Sequence, residues 1–484
     1  MGVWDAVKNI TKKVVSDVSI RAEDLASSNH INRNITDEYD ILRNPQKKIW
    51  VFNSGLNFSG NPKWLFIYIN KYRPDIKAFW LCTEEDTVSY INSLGYKAFL
   101  FSSKEGLNIA TAAGVYVTEQ CKEIIPPELQ DCICLNLYHG VGCKSIERKV
   151  DYGFLFQRIM KKYVVNNSYY LNNQLFLVTS PLMEEHFKNQ VGVPDDMVVR
   201  AGYPRCLYQM YYDKVKSFDH DILKAKNRDA DTKIVVYAPT YRDNPGFNFV
   251  STLLPDMKAL EERLREANKL LVFKLHPLMQ NDEGFKAIYE KYADSPYFLF
   301  WDNKNDIYEI IDRIDTAIID YSSIFYDFLA GGVKSFIRYF ADYGSADLRD
   351  NVFDYKEMTC GRICESFNDL LDAIGSTEAD EDEEKERQRI YDLFWQYSGE
   401  NSMEEIIEAT LNFEPKKDVH PNLYSFDIFD TLISRKGLHP HSIFSYVKEQ
   451  MKKSDLGFER HFIDSYITIR NKCELNVREY RQKT

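Results

Sequence analysis

No run of about eighteen apolar residues occurs in this chain of 484 residues, and no signal peptide opens it, so no membrane span is expected. Peripheral attachment at the cytoplasmic face of a membrane stays open. Cysteine occurs nine times, but without a paired CxxC or a Cys/His spacing. That excludes a zinc-finger site and a disulfide framework, and it points to a reduced, cytoplasmic protein. Positive charge is in deficit: 61 Lys and Arg stand against 73 Asp and Glu, a net charge of -12, which argues against broad nucleic-acid binding. The chain also lacks a GxxxxGKS/T phosphate loop and a GxGxxG fingerprint, which weighs against a P-loop kinase and a dehydrogenase. What is present is an ordinary globular composition, 44% hydrophobic and 28% charged, long enough for two or three domains. With 32 Tyr and 30 Phe, most aromatics belong to cores, and those on loops are available to stack bases or sugars.

Residues 1–44 are polar and contain a short amphipathic pattern, with Trp4, Val7, Ile10, Val14, Val15 and Val18 on one side and Lys8, Lys12 and Lys13 nearby. Such a helix packs on its own protein or lies on an anionic membrane surface. From Lys48 the pattern changes. KIWVFNSG reads as a strand followed by a loop rich in Ser, Gly and Asn (Ser54, Gly55, Asn57, Ser59, Gly60, Asn61) and a helix from Pro62. Strands at 77–82, 98–101, 114–118 and 132–138 alternate with helical segments, which predicts a parallel sheet covered on both faces. LFLVTS and VVRAGYPR carry the pattern into a plainer series: KIVVYAPT, KLLVFKLHP, YFLFW, TAIIDYSS and VKSFIRYF. The expected fold is therefore α/β, with one doubly wound domain over 45–200, a second over 201–413, and a linker plus an incomplete third unit over 414–484. The acidic run STEADEDEEKER at 376–387 reads as a solvated face or a hinge, and a helix is expected over about 402–411.

Ligands of such sheets bind beyond the carboxyl ends of the strands, and the distinctive polar clusters fall there. TAIIDYSSIFYDFLAGG, residues 316–332, passes from an apolar strand through Asp320 to Ser322 and Ser323, where a helix begins with Ile324, Phe325, Phe328 and Leu329 on one side. Two hydroxyls beside free helix amides suit a phosphate, although a serine at that place also serves as a plain cap. His139 ends CICLNLY and opens HGVGCK, where Gly140 and Gly142 allow a tight turn and Lys144 supplies a cation. A histidine there is suited to general-base work because its unperturbed pKa lies near neutrality. His276 closes KLLVFKLHP with Lys274 two residues before it on the same strand face. Thr240, Arg242 and Asp243 follow another strand in YAPTYRD, and Arg205 stands in GYPR. Arginine offers a planar fork for phosphate oxygens.

In their order and spacing, HGVGCK, GYPR, YAPTYRD, KLHP and DYSSIFYDF resemble the CDP-glycerol glycerophosphotransferases, the teichoic-acid polymerase family, over about residues 48–412. The resemblance implies a GT-B-like pair of doubly wound domains facing across a cleft. It also implies transfer of a polyol phosphate from a CDP-activated donor to a growing polymer, with release of CMP and no required cofactor. By the same resemblance His139 matches the proposed base and His276 a second essential histidine, while Arg242, Ser322 and Ser323 match positions contacting donor phosphates. Thr240, Asp243, Lys274 and Asp320 are expected beside them on the donor side. Gly140, Lys144 and Arg205 are expected on the acceptor or phosphate side. The chain departs from the commoner pattern with Val141, Gly142 and Cys143 where Thr-Pro-Leu is frequent, and with Cys206 and Leu207 where Asn-Asp is usual.

SFDIFDTLI resembles the first motif of the haloacid-dehalogenase-like hydrolases, with Asp427 at the nucleophile position and Phe429 where a second Asp is usual. Asp427 is a nucleophile or simply caps a buried strand. A complete domain of that kind would be the place for Mg2+, and no hydrolase activity is expected here. Two other readings stay open: a GT-B glycosyltransferase using a nucleotide sugar, and a noncatalytic module that binds polymer.

Overall fold

A computed structural model describes residues 45–414, apart from 56, 121–125, 130–131, 151–173, 241–248, 276–278, 280–281, 343–351 and 377–380, and beyond them only residues 448 and 452. The amphipathic pattern of 1–44 and the segment carrying Asp427 lie outside the described residues, as do Arg242, Asp243 and His276.

Two all-parallel sheets build the molecule. The first contains β1 (Gln46–Phe52), β2 (Lys77–Cys82), β3 (Ala98–Leu100), β4 (Ala113–Thr118), β5 (Ile133–Asn136), β6 (Gln174–Val178) and β7 (Val198–Arg200), in the spatial order 3-2-1-4-5-6-7. The second contains β8 (Lys233–Ala238), β9 (Lys269–Phe273), β10 (Phe298–Phe300), β11 (Thr316–Ile319), β12 (Ser335–Tyr339) and β13 (Arg362–Cys364), in the order 10-9-8-11-12-13. Central strands such as AGVYVT and TAII are buried along their whole length, which is why they read as unbroken apolar runs rather than alternating ones. The strand pattern thus reproduces the doubly wound expectation. Only β13, three residues with one buried, was too short to be anticipated.

One continuous core joins the two sheets. Trp50, Trp64 and Leu135 from the first unit share a cluster with Val236, Phe325 and Phe328 from the second. Each fully buried side chain of that size contributes about 1.5–3 kcal/mol. Helix Pro204–Tyr211 lies in the seam, where Trp64 and Tyr208 approach to 5.1 Å between ring centroids. Beneath it Lys63 pairs with Glu309, each side chain 1% exposed.

The acidic run resolves into helix Glu381–Trp395, whose charges pair at i,i+3 on an exposed face while Ile390, Phe394 and Trp395 are buried. The chain then returns to the first unit. Tyr397 N donates to Thr179 O (2.9 Å), and helix Ser402–Asn412 buries Met403, Ile406 and Ile407. From that helix Glu404 accepts from Tyr68 Oη (2.6 Å) and Arg73 Nη1 (2.8 Å). The stretch assigned by sequence to the second unit therefore ends on the first, because the apolar side of its last helix finds cover there.

Candidate active site

Each sheet reverses its strand order once, between β1 and β4 in the first and between β8 and β11 in the second. The crevice at such a reversal is where open α/β sheets take ligands. In the first sheet, β1 runs into the loop holding Ser54, β4 into Glu119, and β5 into His139. Helix Gly60–Tyr72 starts at Gly60 with φ 71, and a Cβ there would lie 2.1 Å from Glu119 Oε2. Only glycine lets that carboxylate approach so closely. Glu119 Oε2 accepts from Asn61 N (2.9 Å), and Ser54 Oγ donates to Oε1. Burial pushes the Glu119 carboxyl up to about 6, against the pull of the Arg205 guanidinium, Ser54 and Asn61 N.

His139 is exposed, three residues past the end of β5. Tyr138 before it adopts φ 51, and its N donates to Asn136 Oδ1 (2.9 Å). The His139 Nδ1 lies 2.8 Å from Glu119 O. A carbonyl only accepts, so Nδ1 carries the proton, and in the neutral ring Nε2 is the acceptor nitrogen. That is the tautomer a general base requires.

In the second sheet Thr240 follows β8 and Asp320 follows β11, its hydrogen-bonded neighbour. Asp320 is buried and accepts from Thr240 N (2.8 Å) and Thr240 Oγ1 (2.6 Å). Its carboxylate thereby shapes the turn after β8. Lys274 follows β9, donates to Asn303 Oδ1, and is held below the usual lysine range by burial.

Ser323 precedes helix Ile324–Ala330 without capping it through its side chain. The first amides of that helix turn inward: Ile324 N to Ser322 Oγ (3.4 Å), Phe325 N to Ser322 O (3.3 Å) and Tyr326 N to Ser323 O (3.1 Å). This corrects the expectation of free amides, because a tightened first turn satisfies them locally. Any anion contact there falls to the hydroxyls.

The two units meet at this point. A Cβ on Gly140 would lie 3.4 Å from Ser323 Oγ, and one on Gly142, which has φ 145, would lie 3.0 Å from the Tyr326 ring. Cys143 Sγ and Tyr326 Oη are 2.8 Å apart, and Lys144 follows, partly buried, in the same loop. Val352 N donates to Cys143 O (2.6 Å). The glycines of HGVGCK thus allow the close passage of the His139 loop over Ser323.

Arg205 differs from its sequence expectation. Instead of facing an open phosphate site it is 5% exposed, with Nη2 donating to His139 O (2.7 Å) and Asp327 Oδ2 (2.6 Å). Tyr308 Oη donates to the same Asp327 oxygen (2.5 Å), and the Tyr308 ring centroid lies 4.7 Å from the guanidinium carbon. Burial pushes the Asp327 carboxyl up, opposed by Arg205.

Sequence reasoning missed Glu119 and Asp327. The available signals were an acid just past an apolar strand and an acid within the apolar helix that follows two serines. It passed over Asn61 as one polar residue of a loop. Among the described residues the structure brings together His139, Gly140, Ser323 and Arg205, with Thr240 and Asp320 on the facing sheet.

The chain is similar to the teichoic acid poly(glycerol phosphate) polymerase of Bacillus spizizenii (strain ATCC 23059 / NRRL B-14472 / W23), at 25% identity over 381 residues, covering 77% of this chain and 93% of the relative. It is similar to the teichoic acid glycerol-phosphate transferase of Staphylococcus aureus (strain NCTC 8325 / PS 47), at 23% identity, covering 68% and 84%. The solved wall teichoic acid polymerase TagF superposes with a TM-score of 0.62 at 20% identity, covering 79% of this chain and 95% of that one, which establishes the shared fold. With residues 39–412 matching its model, the chain belongs to the CDP-Glycerol:Poly(glycerophosphate) glycerophosphotransferase family.

Proposed function

We propose that this protein transfers a polyol phosphate, glycerol phosphate in the first instance, from a CDP-activated donor to a growing cell-envelope polymer and releases CMP. Family membership supports the reaction class. The observation that carries the reading is the exposed His139 ring, held with Nδ1 on Glu119 O in a loop that passes against Ser323 of the other unit. In the transfer, His139 Nε2 removes the proton of an acceptor hydroxyl as its oxygen forms a bond to the β-phosphorus of the donor. The bond from that phosphorus to the oxygen bridging to the α-phosphate breaks in line, and CMP leaves with the electron pair. Such reactions depend on positioning and on charge stabilisation around the phosphoryl group.

Thr240, Lys274, Asp320, Ser322 and Ser323 are the donor-side groups in this reading, joined by Arg242 and Asp243, with His276 as a second catalytic histidine, from segments outside the described residues. Gly140 and Lys144 border the acceptor side, and no cofactor enters the reaction. Among the described residues no helix is long and apolar enough to cross a membrane, and the polymer acceptor would be met at a membrane's cytoplasmic face.

Incubation with CDP-glycerol, CDP-ribitol and UDP-sugars, following nucleotide release, tests the proposal. CMP release by the wild-type protein that disappears in a folded His139→Ala variant is expected. UDP release would instead establish a glycosyltransferase, and release of neither nucleotide would favour a noncatalytic polymer-binding module.

A further inference from the structure

We propose that Asn61, Arg205 and Asp327 act as positioning residues, a clamp that holds the His139 turn at a set distance from the serine-bearing helix of the second unit. The kinetic part of this claim rests on the transferase reading above.

The turn needs holding. Tyr138 sits in the left-handed region at φ 51, a conformation that costs a tyrosine about 1 kcal/mol or more and persists only where its surroundings over-determine it. Its carbonyl accepts from Asn61 Nδ2 (2.8 Å), and the next carbonyl, that of His139, accepts from Arg205 Nη2 (2.7 Å). The two donors are themselves joined, Arg205 N donating to Asn61 Oδ1 (3.2 Å). Asn61, Arg205 and Asp327 are 0%, 5% and 2% exposed. From Arg205 the bonds continue to Asp327, four residues and about one helical turn after Ser323. An unbroken series of hydrogen bonds therefore runs from the turn that carries the imidazole to the helix that follows the serines.

Stability alone does not account for this arrangement. A buried ion pair is often matched by apolar residues of the same volume. A guanidinium serves two acceptors in a fixed plane, whereas a flexible ammonium gives no such register. Of its side-chain nitrogens, Nη2 is taken by Asp327 and His139 O and Nη1 stands 4.0 Å from Glu119 Oε2, while Nε is buried without a hydrogen-bond partner among the described residues.

The test uses Arg205→Lys, Asp327→Asn and the milder Asn61→Ser in the full chain, each checked for folding by circular dichroism. A displacement of about 1 Å at the base costs roughly 100-fold in kcat, while donor affinity by calorimetry stays within about threefold. Because the residues act as one unit, the Arg205→Lys/Asp327→Asn double variant is expected to be no slower than its slower parent. A folded variant with kcat near wild type overturns the clamp. So does donor affinity falling as far as kcat, which would make Arg205 a donor ligand. Nitrogen-15 spectra of the histidines provide a readout independent of turnover. The His139 signals, identified by their loss in His139→Ala, should show Nδ1 protonated in the wild type and mixed tautomers in Asn61→Ser and Arg205→Lys. If the wild type releases no CMP, the transferase reading fails while this spectrum still decides the clamp, and tautomers unchanged in the variants overturn it.

Discussion

The two strand-order reversals solve the same problem differently. In the first unit the strand-end groups are tied to one another and across the seam: Glu119 to Ser54 and Asn61, His139 to Glu119 and Arg205, and Arg205 to Asp327. In the second unit Thr240 pairs with Asp320 on the adjacent strand and Lys274 with Asn303 after β10. A base must be held to a fraction of an ångström against its reacting partner, and in the proposed reaction His139 is that base, on a side tied down from several elements. The opposite side, which in the proposed reaction meets phosphates, needs hydroxyls and charge at strand ends, and neighbouring strand ends of one parallel sheet bring those together.

Four substitutions break or sharpen this contrast. His139→Ala should lower kcat by about 10²–10⁴-fold with an unchanged melting temperature, because an exposed ring contributes chemistry and little packing. Turnover close to wild type would remove the base from the first unit. Lys63→Ala should cost about 3–5 kcal/mol in urea unfolding, since it leaves Glu309 buried in the seam with, among the described residues, only His220 as an ion-pair partner. A loss under about 1 kcal/mol would mean that the apolar core alone joins the units. Asp320→Ala, in the second unit, should cost about 1–3 kcal/mol by removing the acceptor of Thr240 N and Oγ1. It should also weaken donor binding more than it slows transfer, the reverse of the Arg205 variants.

Glu119→Gln should give the smallest change, read in the pH dependence of stability. The folded pKa is raised to about 6, so the native state holds the proton more tightly than the unfolded chain. That contribution is complete below the unfolded value near 4.5 and is lost as pH rises through about 6. It amounts to about 2 kcal/mol at most. Melting curves across that window should be flatter for the variant than for the wild type. Equal slopes would mean that folding does not raise the Glu119 pKa.

Much of this was legible in the residues. Apolar runs of four to six residues between helical segments marked nearly all the strands, because strands buried on both faces carry no alternation to disguise them. HGVGCK and DYSSIFYDF stood out because glycines, a histidine and hydroxyls gather there at strand ends, where open α/β sheets take ligands. Glu119, Asn61 and Asp327 were not legible in the same way. A glutamate after a strand, an asparagine in a loop and an aspartate in a short helix are ordinary, and only their mutual distances make them partners. Arg205 was legible as a residue but not as an enclosed one, since a sequence does not show which arginines are buried.

By itself the sequence determined two parallel α/β sheets and the strand ends where polar groups gather, and it singled out the histidine and serines proposed for phosphoryl transfer. These follow from local pattern, in which period, chain direction and turn chemistry are properties of neighbouring residues. The tertiary structure decided that the His139 loop passes against Ser323, that Arg205 braces this approach instead of facing solvent, and that the last helix returns to the first unit. Those outcomes depend on which buried charges and apolar faces meet across more than a hundred residues, a matter settled by packing and desolvation across the whole chain.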